Sequence, residues 1–242
     1  MDFLTLFLSL RCTHACAHCI FGCSLNHGNH MPWDVFQQSM AISQKSGINK
    51  LNFFGGEPLL NPSFFKMTES ALENGFSLIV TTNCRPLEDI VTMARFLELT
   101  EKYKERLVII TARDKFHLKF YNPLAVVNLL RRQGYSVMVD DYSDRTIALT
   151  EFNIRNRGLE GLDPGYSCCK GEWTDFLGIL LDGSWTLCPP SIKPFGSVFS
   201  EGLDEMVEFK KGLAFNSSGG CTVCLKDFER FKDEFKRLQK PV

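Results

Sequence analysis

The sequence predicts an α/β protein: a partial (β/α)6, TIM-like parallel barrel with a small C-terminal β-hairpin and helix domain. Three observations lead there. Short apolar runs alternate with helical segments at intervals of roughly 25–30 residues, the pattern of parallel strands joined by crossover helices. Cysteine-rich, glycine-rich or polar runs follow successive strands, and parallel sheets gather functional residues at the C-terminal strand ends. From about residue 160 the alternation stops and a hairpin pattern begins. The division is therefore 1–160 for the barrel and 161–242 for the appendage. No repeat or low-complexity linker separates them, so the appendage is expected to pack directly on the barrel.

Residues 3–9 read as a buried strand, followed by a cysteine loop to about Asn29. Pro32 starts a helix with Val35, Phe36, Met40 and Ile42 on its apolar side, and Gly47 closes it. Lys50 to Phe54 is a short strand running into Gly55-Gly56-Glu57-Pro58. Pro62 opens the next helix and Gly75 ends it, and Ser77 to Thr81 is the third strand. Leu87, Ile90, Val91, Ala94 and Leu97 recur at helical spacing and predict an amphipathic helix. Leu107 to Ile110 is a strand, and Asn122-Pro123 caps a helix that runs to Gly134. Ser136 to Asp140 is the fifth strand, and Ile147 to Phe152 is the candidate for a sixth. In the appendage, Phe176 to Leu181 and Ser184 to Cys188 flank Asp182-Gly183, which predicts a hairpin. A final helix carries Phe228, Phe231, Phe235 and Leu238 on one side.

Composition excludes several classes. With 44% hydrophobic and 23% charged residues in 242, this is ordinary globular material. A net charge of -1 gives no global field toward nucleic acid or membrane, though it leaves room for a local basic groove. The opening Phe3 to Leu8 is apolar but short, Asp2 stands where a signal peptide has basic residues, and no small-residue cleavage site follows. No run reaches the ~18 apolar residues of a membrane span. The 10 cysteines fall in two groups. Cys12, Cys16, Cys19 and Cys23 form one, and Cys168, Cys169, Cys188, Cys221 and Cys224 the other, with Cys84 alone. A chain this rich in core residues needs no disulfide framework, so the expected location is reducing cytoplasm, where clustered thiolates hold metal.

Arg11-Cys12-Thr13-His14-Ala15-Cys16-Ala17-His18-Cys19 carries the pattern C-x3-C-x2-C. One loop brings three such thiolates to one face, and a tetrahedral site then needs a fourth ligand. His14, His18 or Cys23 would close a zinc site; an exogenous ligand would make it an open iron site.

This pattern after the first strand, with Gly55-Gly56-Glu57-Pro58 after the second, strongly resembles the radical S-adenosylmethionine (SAM) superfamily over roughly residues 3–160. The resemblance implies that Cys12, Cys16 and Cys19 hold three irons of a [4Fe-4S] cluster. The fourth iron would bind the methionine moiety of SAM, whose reductive cleavage gives a 5′-deoxyadenosyl radical that takes hydrogen from substrate. The run Gly55, Gly56, Glu57 and Pro58 would hydrogen-bond the methionine ammonium, its glycines suiting a close backbone approach. His18, where relatives carry an aromatic residue, would lie over the adenine. Thr82 and Asn83 resemble polar residues that touch cofactor after strand three. Asp114-Lys115-Phe116-His117 resembles a D-x-F-H run after strand four, with Thr111 and Arg113 placed at the cofactor's ribose or carboxylate. Arg155-Asn156-Arg157-Gly158 resembles a late Gly-Arg element and adds Arg157.

The second cysteine group resembles the twitch appendage, a shortened SPASM domain holding one auxiliary [4Fe-4S] cluster. Its ligands would be Cys168, Cys188, Cys221 and Cys224, with Cys169 an alternative to Cys168; a four-cysteine zinc is the rival. Cys23 and Cys84 are read as ordinary thiols, and the His27 to His30 pair as solvated. An external flavodoxin- or ferredoxin-like donor would supply the electron. The sequence shows no leader-peptide module and no long C-terminal extension. That favours oxidation or rearrangement of a small-molecule or nucleobase-type substrate, one case being isomerisation of an aminoacyl-modified thymine in phage DNA. Arg113, Lys115, Lys119, Arg155 and Arg157 would form the basic rim for DNA, and the enzyme would then work in the host cytoplasm. A peptide-modifying maturase and a non-enzymatic iron-sulfur or zinc protein are the alternatives.

Overall fold

A computed structural model describes residues 3–16, 19, 22–140, 177–186, 196–200 and 204. Its centre is β1 (Leu4–Ser9), in which all six residues are buried. A strand covered on both faces takes a continuous apolar run, as parallel sheets do. The strands β2 (Lys50–Gly55), β3 (Ser77–Thr81), β4 (Leu107–Ala112) and β5 (Ser136–Asp140) follow beside it. Each pairs in parallel with the one before. Four helices cross between them: α1 (Trp33–Lys45), α2 (Phe64–Glu73), α3 (Ile90–Thr100) and α4 (Leu124–Arg132). The sequential order with every crossover helical is the α/β arrangement expected for a partial barrel, and it puts the C-termini of β1 to β5 on one rim.

The core lies between the sheet and these helices. Leu51, Phe53, Leu78, Val80, Leu107 and Ile109 alternate inward along β2 to β4, meeting Phe36, Phe64, Met67, Phe96 and Val127 from the helices. Phe53 stands edge-on to both Phe36 and Phe64, the preferred geometry for aromatic pairs. Helix ends sit where the sequence placed them, to within a residue or two. Gly47, Gly75 and Gly134 have positive φ after α1, α2 and α4. Asn122 Oδ1 accepts from Leu124 N at 3.2 Å, so it caps α4, whose first residue is one later than Pro123.

The face of α3 differs from the expected one. Ile90 and Val91 are 80% and 72% exposed, and Ala94 is exposed as well. The buried side is Met93, Phe96 and Thr100, a second stripe with the same helical spacing. Two local features set the phase. Asp89 accepts from Thr92 N at 2.8 Å and starts the helix there, leaving Leu87 in a separate 3-10 turn. At the other end the Thr100 hydroxyl meets Tyr135 Oη at 2.8 Å, and the Phe96 ring lies 6.0 Å from that of Tyr135.

The predicted hairpin forms as β6 (Gly178–Ile179) and β7 (Trp185–Thr186). Its turn is one residue longer than an Asp-Gly pair. Gly183 N donates to Leu180 O at 3.1 Å, Leu181 and Asp182 are the central residues, and Gly183 follows at φ +83° as a bulge. Asp182 Oδ1 takes Ser184 N at 3.0 Å and the Ser184 hydroxyl at 2.6 Å. The hairpin continues the sheet: β6 pairs in parallel with β1, Thr5 opposite Gly178. Sheet order is therefore β5-β4-β3-β2-β1-β6-β7. The candidate sixth strand at 147–152, the 160/161 boundary and the final helix lie outside the described residues. No helix among those described is long and apolar enough to cross a membrane.

A candidate iron-sulfur and cofactor site on the strand rim

The cysteine loop leaves β1 through a bulge between Phe7 and Ser9. It is held by a returning segment: Leu10 N donates to Asn29 O, Cys12 N to Ser24 O, and Met31 N to Leu8 O, all within 3.1 Å. The Ser9 hydroxyl meets His30 Nδ1 at 3.0 Å and accepts from Arg11 N at 2.9 Å. The polar loop residues Ser24, Asn29 and His30 thus hold a loop that the sequence alone presents only as a spacing of cysteines.

The run after β2 is stitched to this loop. Gly56 N donates to Ser9 O at 2.7 Å and Glu57 N to Arg11 O at 2.8 Å. A Cβ on Gly55, at φ +135°, would collide with the Ser9 backbone carbonyl. A Cβ on Gly56 would meet Arg11 O at 2.7 Å, Leu10 O at 2.9 Å and Cys23 Cβ at 3.0 Å. Both glycines are required here by the cysteine loop itself. Gly56→Ala is expected to cost about 1–3 kcal/mol through backbone displacement and to lower iron loading. Anaerobic thermal unfolding and iron analysis read both, and a variant as stable as the parent would show that the loop yields freely.

Glu57 does not point at a ligand surface. It is fully buried, and its carboxylate accepts from Thr82 Oγ1 at 2.8 Å, Asn83 N at 2.8 Å and Leu59 N at 3.2 Å. Burial pushes its carboxyl up to about 7, against the pull of those three donors. Glu57 thereby ties the rim after β2 to the rim after β3. Asn83 in turn meets Thr13 Oγ1 at 3.0 Å and donates Nδ2–H to Cys12 Sγ at 3.5 Å. Pro58 and Thr82 are buried beside it. Cys84 takes the left-handed conformation, φ 64°, its N–H bound to Thr82 Oγ1 at 3.0 Å. Burial holds its thiol up at about 12.

Cys12, Cys16 and Cys19 lie near enough for the charge of one to act on the others. Burial first, then the charge of Glu57 and Cys19, pushes the Cys12 thiol up to about 12. Cys16 is driven up by burial and by Cys19, Cys12 and Asp114. Thiolates that repel one another in a dry pocket need a cation to persist, which the irons of a cluster would supply. N–H groups already point at the sulfurs: His14 N to Cys12 Sγ and Cys23 N to Cys19 Sγ, each at 3.4 Å. The donor set therefore fits an iron-sulfur cluster. Cys23 packs behind the site with Leu10 and Cys12. Its thiol is raised by the contact with Cys19 and by burial.

On the β4 side, Asp114 Oδ1 accepts from Phe116 N at 2.7 Å and His117 N at 3.1 Å. Asp114 Oδ2 lies 2.6 Å from His117 Nδ1. Burial raises this carboxyl, but His117 and the two N–H groups outweigh it and hold Asp114 at about 2. Cys16 Sγ lies 3.9 Å from Phe116 O, which joins this loop to the cysteine loop. His14, Cys16 and His117 bring ligand atoms within 4.8 Å of one another, a grouping the sequence does not reveal. Thr111 is buried at the end of β4, and Arg113 N donates to Asp140 O at 2.9 Å. The Thr111 hydroxyl lies against the Cys84 thiol, and among the described residues Arg113 Nε has no hydrogen-bond partner. His18, Arg155, Arg157, Cys168, Cys169, Cys188, Cys221 and Cys224 lie outside the described residues.

Comparison with known proteins agrees with this geometry. Residues 6–139 match the family model described as the radical SAM superfamily. An S-adenosylmethionine-dependent nucleotide dehydratase from Selenomonas ruminantium is 28% identical over 81 residues, 33% of this chain and 29% of that protein. Among solved structures, Streptococcus suis SuiB bound to its precursor peptide SuiA superposes with a TM-score of 0.51 at 14% identity. That match covers 93% of this chain and 70% of SuiB. Native anSMEcpe with bound AdoMet and Cp18Cys peptide gives 0.57 at 14% identity, over 93% and 83%. At such identities the structural likeness shows the fold. The family implies a [4Fe-4S] cluster and SAM. A sequence match across more than half of the chain, carried by a parallel α/β sheet with cysteine and glycine-rich loops on one rim, makes this a member of the radical SAM superfamily.

Proposed function

We propose that Cys12, Cys16 and Cys19 hold the cluster and that the enzyme abstracts hydrogen from a small-molecule or nucleobase-type substrate, for oxidation or rearrangement. The observation that carries it is the set of three neighbouring thiols, Cys12 and Cys16 buried and Cys19 half-buried, on a loop stitched through Gly56 and Glu57 to β2. When bound, the cluster and SAM supply an electron to the sulfonium and a 5′-deoxyadenosyl radical. The protein's own residues orient and shield. Gly55 and Gly56 let the β2 rim close on the cysteine loop, Glu57 fixes Thr82 and Asn83, and Asn83 holds Cys12. Arg113, whose Nε is unsatisfied among the described residues, and Thr111 at the end of β4 are the rim groups proposed for SAM. Pro58, His18 and Arg157 complete the proposed cofactor contacts.

A nucleotide-like substrate is supported by the dehydratase, whose name states that class, and by cations on the β4 loop. Lys115 and Lys119 flank Phe116 at 5.1 and 5.8 Å from its ring. Aminoacyl-thymine in phage DNA is one such substrate; a peptide is the alternative class. An external flavodoxin- or ferredoxin-like protein is the proposed reductant. The test is anaerobic reconstitution with reductant and SAM, in which failure to form 5′-deoxyadenosine overturns the proposal.

The appendage from residue 161 is proposed to carry a second [4Fe-4S] cluster on Cys168 or Cys169, Cys188, Cys221 and Cys224. Two cubanes bind about eight irons. Cys221→Ala is expected to halve the iron while sparing uncoupled SAM cleavage. Unchanged iron in that variant rules out the auxiliary cluster.

A further inference from the structure

His14 lies between the first two cysteines and is only 3% exposed. Its ring stacks on Phe120, with centroids 5.3 Å apart and planes at 20°. It lies 6.0 Å from the His117 ring. Among the described residues, neither of its ring nitrogens has a hydrogen-bond partner. At least one of the two carries a proton in any state of the ring. A buried N–H with no acceptor is costly, so native interiors rarely leave one. A ring nitrogen lies within 4.8 Å of both Cys16 Sγ and a ligand nitrogen of His117. His14 is therefore a buried, unsatisfied polar ring placed against the thiol that faces Cys12 and Cys19.

We propose that His14 donates a hydrogen bond to a sulfur of the cluster on its Cys16 side, and so helps set the cluster's reduction potential. The inference rests on Cys12, Cys16 and Cys19 being the cluster ligands. Cluster sulfurs are good acceptors, and hydrogen bonds to them are a main lever on potential. A donor stabilises the reduced cluster, which carries one more negative charge, more than the oxidised one. The Phe120 stack holds the ring in place, and the loop Asp114 to His117 closes the far side. His14 thus joins Asn83 Nδ2, which already points at Cys12 Sγ.

The test is a redox titration of the fully reconstituted, full-length protein, followed by EPR without SAM. His14→Phe keeps an aromatic ring against Phe120 and removes the donor. Its iron content is expected to match the parent. At the parent's midpoint potential its ratio of reduced to oxidised cluster should fall about tenfold, equivalent to a one-electron shift of about 59 mV downward. His14→Gln, which restores an N–H, should recover part of that shift. An unchanged potential at full iron loading overturns the inference and leaves the cluster assignment standing. Should His14→Phe fail to load iron, pulsed EPR of the parent decides. Protein carrying 15N-histidine should show a weak nitrogen coupling to the reduced cluster that persists in His117→Phe and His18→Phe. Absence of that coupling refutes the donor. Metal analysis guards against the rival in which His14, Cys16 and His117 hold a single cation. One zinc per chain, lost in His14→Phe, would overturn the donor role. Iron retained by Cys16→Ala at the parent's level would instead overturn the cluster assignment on which the inference rests.

Discussion

Cys16→Ala is expected to bring 5′-deoxyadenosine formation down to the uncatalysed background and to remove about four of about eight irons per chain. The effect is expected to be total because an open cubane needs three thiolates, and the groups within 4.8 Å of this thiol are the imidazoles of His14 and His117. The thiol is buried, feels the charge of both Cys19 and Cys12, and lies 3.9 Å from the Phe116 carbonyl. Cys23 is near but lies behind the ligand set, its N–H turned to Cys19 Sγ. A two-thiolate remnant cannot hold a cubane with one iron left open for SAM. Anaerobic reconstitution, iron quantification and chromatographic detection of 5′-deoxyadenosine check the outcome in one preparation. Cys84→Ala is the matched control, since that thiol is equally buried but belongs to the turn after β3, and it should keep its iron. If Cys16→Ala forms product at the parent's rate, the assignment of the open cluster to this loop is wrong.

Much of this architecture was legible in the sequence because it rests on strong local signals. Apolar runs such as Leu4 to Leu8 and Leu107 to Ile110 are strands, and glycines at 47, 75 and 134 end helices by adopting positive φ. The cysteine spacing and Gly55-Gly56-Glu57-Pro58 located the site because strand order brings their two loops side by side. Less legible was what depends on tertiary contact. The buried face of α3 could not be chosen from periodicity, because two stripes share the spacing and the choice is made by Phe96 and Thr100 meeting Tyr135. The hairpin's position beside β1 was hidden because a parallel pairing across more than 170 residues leaves no local trace. The clamp made by the Glu57 side chain was hidden for a similar reason. Its partners Thr82 and Asn83 come from the next strand, so a motif that suggests contact with cofactor is, at this side chain, an internal clamp. His14 was visible only as one possible zinc ligand, since its burial and its unsatisfied nitrogens are properties of the packed loop.

Glu57→Ala is expected to destabilise the protein by about 3–5 kcal/mol and to weaken cluster binding with it. Three donors lose their acceptor at once: Thr82 Oγ1–H, Asn83 N–H and Leu59 N–H. Each buried donor left unsatisfied costs about 1–3 kcal/mol, and the three share one small pocket, so the sum is less than additive. Release of Asn83 also frees the Nδ2 group that points at Cys12 Sγ, which is how a structural carboxylate would reach the proposed cluster. Glu57→Gln separates charge from hydrogen bonding. Its amide oxygen still accepts, while its NH2 opposes one donor, so a smaller loss of about 1–2 kcal/mol is expected. The two side chains should differ in pH dependence. Burial raises the Glu57 carboxyl from 4.5 to about 7, so across that window the folded protein keeps a proton that the unfolded chain has released. Stability contributed by this group is complete below the window and is lost as pH rises through about 7. Glutamine has no proton to release, so the gap between parent and Glu57→Gln should be widest near pH 5 and should narrow by pH 8. Anaerobic thermal unfolding of both proteins at the two pH values measures it. Parallel curves would mean that the three donors hold Glu57 ionised throughout, and that the clamp works as a buried charge and not as a titrating acid.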